Sequence, residues 1–98
     1  MDSDQQLVAM ADLALVSATE KYIDATVLDR LDIKPSLDDA RSAWASARFR
    51  LLFPDSITLQ QDIDDARNLK QRIDAAADKQ QLIQGLLDLA GLLLKFGH

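Results

Sequence analysis

The densest group of potential metal ligands in this 98-residue chain is Asp62, Asp64 and Asp65. On a helix Asp62 and Asp65 share a face at i,i+3 spacing. No His or Glu accompanies them, and the spacing matches no calcium loop. They fall in the first turns of an expected helix, where the macrodipole favours negative charge by itself. No metal site is expected. The single histidine is the last residue, His98, and the chain has no cysteine, so neither a relay nor a thiolate site can be assembled. Serines 17, 36, 42, 46 and 56 have no base at a useful spacing, and no glycine-rich phosphate loop is present. Catalysis needs titratable groups gathered in one place. The chain is therefore read as non-enzymatic, with no cofactor.

The one basic stretch holds Arg41, Arg48 and Arg50, with no acid between Ala40 and Pro54. Arg41 and Arg48 stand three and four residues from Trp44, where each can stack on the indole. The net charge of −5 makes a phosphate backbone or an anionic membrane a poor partner. Pairing of these arginines with the acid-rich third helix is the expected arrangement.

The elements that position these residues are all helical. Strand-period alternation is absent, and Ala, Leu, Gln, Asp, Lys and Arg dominate. A first helix is predicted to start after Ser3 and to run to about Leu31, with a break near Ser17 or Thr19 as the alternative. One stripe carries Leu7, Val8, Ala11, Ala14, Leu15, Ala18, Tyr22 and Ala25, and a second face carries Leu13, Val16, Ile23, Val27 and Leu31. Pro35 predicts a turn over Asp32–Pro35, with Ser36 capping a second helix from Leu37 to about Phe53. Thr58 with Gln61 fits a capping box for a third helix, and Asp55 or Ser56 offers an earlier cap. Asp78 with Gln81 fits a cap for a fourth, although the absence of Gly and Pro between Asp74 and Gln81 equally allows one long rod. The expected fold is a single all-α domain over 1–98, an antiparallel bundle of three to four helices.

Helices one, two and four carry more apolar surface than a small bundle needs. Leu82–Phe96 is apolar over an arc of roughly 220°, against a polar stripe of Gln84, Asp88, Gly91 and Lys95. Leu82, Leu86, Leu89 and Leu93 lie at the middle of that arc and are assigned to the core. Ile83, Leu87, Ala90 and Leu94 lie at its edge and are assigned to a partner. The second helix is apolar along Leu37, Ala40, Trp44, Ala47 and Leu51, with Trp44 expected to be largely buried. It is apolar again along Ala45, Phe49, Leu52 and Phe53. Phe49 and Phe53 are the expected aromatic anchors of a contact, since aromatics concentrate at interface centres. Gly85 and Gly91 inside helix four suit close helix approach or a kink.

With 48% hydrophobic residues and five aromatics, the core must be built chiefly from aliphatics and alanine. The N-terminus lacks the basic region and apolar run of a signal peptide, and the C-terminal apolar stretch is too short to span a bilayer. A cytoplasmic protein is expected. The function read from these features is protein binding by a small acidic helical adaptor, chaperone, inhibitor or antitoxin-like regulator. Its partner is another protein or a second copy, as a homo-oligomer, with no nucleic acid and no membrane. A structural assembly subunit of phage or secretion type is the alternative, and an acidic nucleic-acid mimic a further one.

Overall fold

The computed structural model describes residues 3–52 and 58–96, which form four helices and the short segments that flank them. The helices are α1 (Ser3–Asp24), α2 (Val27–Arg50), α3 (Gln60–Asp74) and α4 (Lys79–Leu94). Successive helices run antiparallel. In cross-section the order is α1, α2, α4, α3: α1 packs on α2 and α3, α4 packs on α2 and α3, α1 and α4 approach across one diagonal, and the backbones of α2 and α3 stay apart. The more extensive contacts are between the parallel pairs, α2 with α4 and α1 with α3.

Alanine makes this closeness possible. Ala11, Ala14 and Ala18 of α1, Ala40, Ala43 and Ala47 of α2 and Ala66 of α3 are all buried. Leu7, Ile33, Leu37, Ile63, Ile73, Leu86, Leu89 and Leu93 fill the space between them. The core leucines expected of α4 are thus where the helical period puts them. Gly85 marks a close approach rather than a kink: a Cβ there would stand 2.8 Å from Cγ1 of Ile73. Gly91, in contrast, faces open space.

The boundary between the first two helices departs from expectation. The chain turns at Ala25–Thr26, not over Asp32–Pro35, and α2 begins ten residues before Leu37 and runs through Pro35. Proline inside a helix removes one backbone hydrogen bond and crowds the carbonyl four residues back, at about 3 kcal/mol. Several contacts hold the segment helical regardless. The Thr26 hydroxyl accepts the N–H of Asp29 at 3.2 Å, an N-cap. Arg30 donates from Nε to the Tyr22 carbonyl at 3.2 Å and from Nη2 to the Ile23 carbonyl, satisfying the last turn of α1. Lys79 pairs with Asp29 and Asp32 and ties this turn to the start of α4. Ser36 is not a cap: it is buried in mid-helix, and its hydroxyl donates to the Ile33 carbonyl.

Helices three and four are separate. The Asp78 carboxylate accepts the N–H of Gln81 at 2.9 Å, and the Gln81 side chain accepts the N–H of Ala77 at 2.8 Å. This reciprocal cap supplies the break that no Gly or Pro announces. At the start of α3 the expected Thr58–Gln61 box is not formed. Leu59 occupies the cap position, and Asp62 reaches back to accept its N–H at 2.9 Å. Asp55 and Ser56 lie outside the described residues.

Candidate protein-contact surface

The side chains with potential chemistry are dispersed. Asp62 is buried and bound, accepting from Lys95 Nζ at 2.7 Å as well as from Leu59. Burial pushes its carboxyl up, but the Lys95 ammonium and the Leu59 N–H outweigh it and hold the group below the usual carboxylate range. Asp64 is bound by Gln60 and Arg67, and Asp65 by Gln61. Among the described residues no three His, Cys, Asp or Glu side chains converge on one point. Ser17 hydrogen-bonds Asp74, which Lys70 also binds, and both hold the Asp74 carboxyl below its usual range, Lys70 more strongly. His98 lies outside the described residues.

The basic stretch is corrected by topology. Arg41, Arg48 and Arg50 do not pair with α3, because α2 and α3 sit at opposite corners of the bundle. Arg41 instead donates to the Thr19 hydroxyl of α1 at 2.9 Å. The Arg48 guanidinium lies over the Trp44 ring, 5.3 Å from its centre. Trp44 is only half-buried, at the rim of the core between α1 and α2, where its Nε1–H donates to the Val8 carbonyl at 3.3 Å. Leu37, Ala40 and Ala47 of the same stripe are fully buried.

Two open apolar grooves flank α2. Between α2 and α4, a groove of about 400 Å³ is lined by Asp39, Ser42, Ala43, Ser46, Leu87, Ala90, Gly91 and Leu94. It is open because α2 presents only Ala and Ser there and α4 presents Gly91 without a side chain. Leu87 (45% exposed) and Leu94 (46%) form its walls. Three of the residues assigned to a partner from the helical period, Leu87, Ala90 and Leu94, thus line one groove. Ala90 is its buried floor rather than a free side chain, and Ile83 is half-buried against the core. Phe49 is 67% exposed on the adjoining outer face of α2, outside the lining of the groove, and Phe53 lies outside the described residues. Between α1 and α2, a second groove of about 440 Å³ is lined by Leu15, Val16, Thr19, Glu20, Arg41, Trp44 and Ala45.

Eleven large apolar side chains are exposed among the described residues, from Leu13, Val16 and Ile23 on α1 to Leu87 and Leu94 on α4. Val27, Leu28 and Leu31 gather on the first two turns of α2. Leu28 has no place in a reading that continues α1 to Leu31. The signal for it is Thr26-x-x-Asp29, a cap spacing that moves the helix start and turns Leu28 outward with Leu31. No helix among the described residues is long and apolar enough to cross a membrane. No known protein family, curated protein or solved structure matches the chain.

Proposed function

We propose that this chain is a non-enzymatic protein-binding module, a cytoplasmic helical adaptor, chaperone, inhibitor or antitoxin-like regulator that self-associates. The observation that supports this is the run of exposed aliphatics on α1, α2 and α4 of a bundle whose interior is already filled. Isolated apolar residues on a surface are ordinary, but contiguous faces of them mark contact sites. The α2/α4 groove is the contact for a partner's apolar side chain. Small residues form its floor and leucines its walls, with Asp39, Ser42 and Ser46 as a polar rim.

A second reading, an assembly subunit, draws on one further feature: the two grooves open on opposite sides of α2. One isologous contact closes a dimer, whereas two different contacts propagate a ring or filament. Sedimentation equilibrium from micromolar to millimolar concentration tests both. A regulator is expected to stop at a closed dimer, and an assembly subunit to continue to larger species. If the α2/α4 groove carries the self-contact, Leu94→Glu weakens association while each chain stays helical by circular dichroism; if that groove holds a different protein, self-association is unchanged. A wild-type mass of 10.9 kDa throughout would remove self-association. Binding of a different protein would then be the form of the proposal left to test.

A further inference from the structure

The face formed by α1 and α2 is divided by charge along its groove. On α1 the outward residues are Leu13, Val16 and Ile23 with the exposed acids Asp12, Glu20 and Asp24. The only cation of α1, Lys21, is turned away and donates to the Ala76 carbonyl beyond α3. On α2 the exposed residues from Arg41 onward include Ala45 and Phe49 with Arg41 and Arg48, Leu52 follows exposed in the turn beyond it, and no acid follows Asp39 in that helix. Among the described residues, Asp12 and Glu20 make no ion pair, whereas Asp62, Asp64, Asp74 and Asp88 on the other half of the bundle all do.

The two rails are also in step. Helices α1 and α2 are antiparallel, and Arg41 reaches Thr19, so Glu20 and Arg41 stand level across the groove that both line. Asp12 is eight residues before Glu20 and Arg48 is seven after Arg41, about 12 and 10.5 Å along the two axes. Asp12 and Arg48 are therefore level as well.

We propose that a second copy of this chain docks on the α1/α2 face about a two-fold axis running along the groove. This rests on the protein-binding reading above and names the partner and its orientation. Such an axis lays α1 of one copy antiparallel on α2 of the other at the same level. It brings Asp12 to Arg48 of the second copy and Glu20 to Arg41 of the second copy, each contact occurring twice. It also closes the apolar face, with Val16 and the exposed edge of Trp44 beside the axis. A two-helix face of this length measures roughly 35 by 20 Å, about 700 Å². That is close to the ~800 Å² per partner of an ordinary stable interface.

A charge swap tests it on the full chain. Asp12→Lys with Glu20→Lys makes both rails basic, and Arg41→Glu with Arg48→Glu makes both acidic. Wild type is expected to sediment at twice 10.9 kDa. Each variant alone is expected to be monomeric, with its dissociation constant raised at least about 100-fold by like charges at the contact. An equimolar mixture is expected to regain the dimer, with one chain of each kind. Restoration on mixing cannot come from pairing within one chain. If either double variant fails to fold by circular dichroism, Val16→Glu takes its place, with a monomer expected and an unchanged dimer overturning the proposal. Variants that stay dimeric, or a mixture that does not reassociate, overturn it. If Leu94→Glu then dissociates the wild-type assembly, the protein-binding reading stands and only the choice of face falls. A monomeric wild type overturns this dimer and the self-association half of the proposed function together.

Discussion

Helices α2 and α3 occupy opposite corners of the same bundle and turn very different faces outward. The outer surface of α3 is Gln60, Gln61, Arg67, Asn68, Gln71 and Arg72, laced by Gln60–Asp64, Gln61–Asp65, Arg67–Asp64 and Lys70–Asp74 contacts one turn apart. Its only exposed large apolar residue is Leu59, at the cap. The outer surface of α2 includes Val27, Leu28, Leu31 and Phe49, and the exposed Leu52 follows in the turn beyond it. Both helices bury a full inner stripe, so the folding requirement is met equally on each side. The difference lies in what faces outward. A helix needed only for folding can be polar all along its outer face, as α3 is. The outer face of α2 has a composition that folding alone does not call for.

The largest effects should be alike on the two helices, because inside they are equivalent. Leu37→Ala in α2 and Ile73→Ala in α3 each empty a site that is at most 1% exposed. Each is expected to cost about 2–5 kcal/mol in urea denaturation, enough to unfold much of a small domain. If Leu37→Ala were nearly silent, α2 would not be a core helix, and the contrast would reduce to one helix being loosely attached.

The two sides of α4 sharpen the same contrast. Its α3 side is closed at Gly85 and its α2 side is open at Gly91. Ile73 is fully buried and cannot easily yield to a Cβ at 2.8 Å. Gly85→Ala is therefore expected to destabilise by about 1–3 kcal/mol through overpacking, despite the better helix propensity. Gly91→Ala meets nothing and is expected to stabilise the monomer by up to about 1 kcal/mol. Thermal melts of the two variants should shift in opposite directions. A shift in the same direction would mean that the two sides of α4 are equally packed.

How much of this was legible in the sequence depends on which physical signal each feature left. The split of α4 into core leucines and edge leucines follows from 3.6-residue periodicity alone, and Leu82, Leu86, Leu89 and Leu93 are all buried while Leu87 and Leu94 stand at the surface. Pro35 is a loud local signal and Thr26-x-x-Asp29 a quiet one, so local sequence alone places the end of α1 too late. Tertiary contacts of Arg30 and Lys79 then hold the helix through the proline. The arginine pairing failed for another reason. Which helices share an edge is decided by the path from α2 to α3, and no periodicity within a helix encodes that. For the same reason the groove between α1 and α2 has no signature within either helix, although Val16 on α1 and Trp44 and Ala45 on α2 each lie on an apolar face.

The buried carboxylate of α3 gives a smaller effect with a defined pH dependence. Asp62 has a depressed pKa in the folded chain, so its contribution is present above the unfolded value, about 3.9. It is lost as the pH falls through the folded value. Asp62→Asn keeps an acceptor for the Leu59 N–H and removes the pair with Lys95. It is expected to cost about 1–2 kcal/mol at neutral pH, the scale of one charge-assisted hydrogen bond. The gap between wild type and variant should close below about pH 4. A gap that persists undiminished at pH 2 would assign the loss to packing instead of charge.

The smallest stability effects are expected on the outer faces themselves, and there the two helices part company. Arg67→Ala on α3 removes one exposed i,i+3 pair, and Leu28→Gln on α2 removes an exposed apolar side chain. At concentrations low enough for a monomer, each is expected to move the urea midpoint by less than about 0.5 kcal/mol, since neither side chain is packed by its own chain. Against an apolar dye such as ANS, the two should differ. Arg67→Ala leaves the fluorescence of the folded protein unchanged, whereas Leu28→Gln lowers it by thinning the exposed patch formed with Val27 and Leu31. The stability measurement is the one that can break the comparison. If Leu28→Gln cost more than about 1 kcal/mol in the monomer, Leu28 would be supporting the α1–α2 corner rather than facing outward. The apolar exterior of α2 would then be part of the folding of the chain, as the polar exterior of α3 is not.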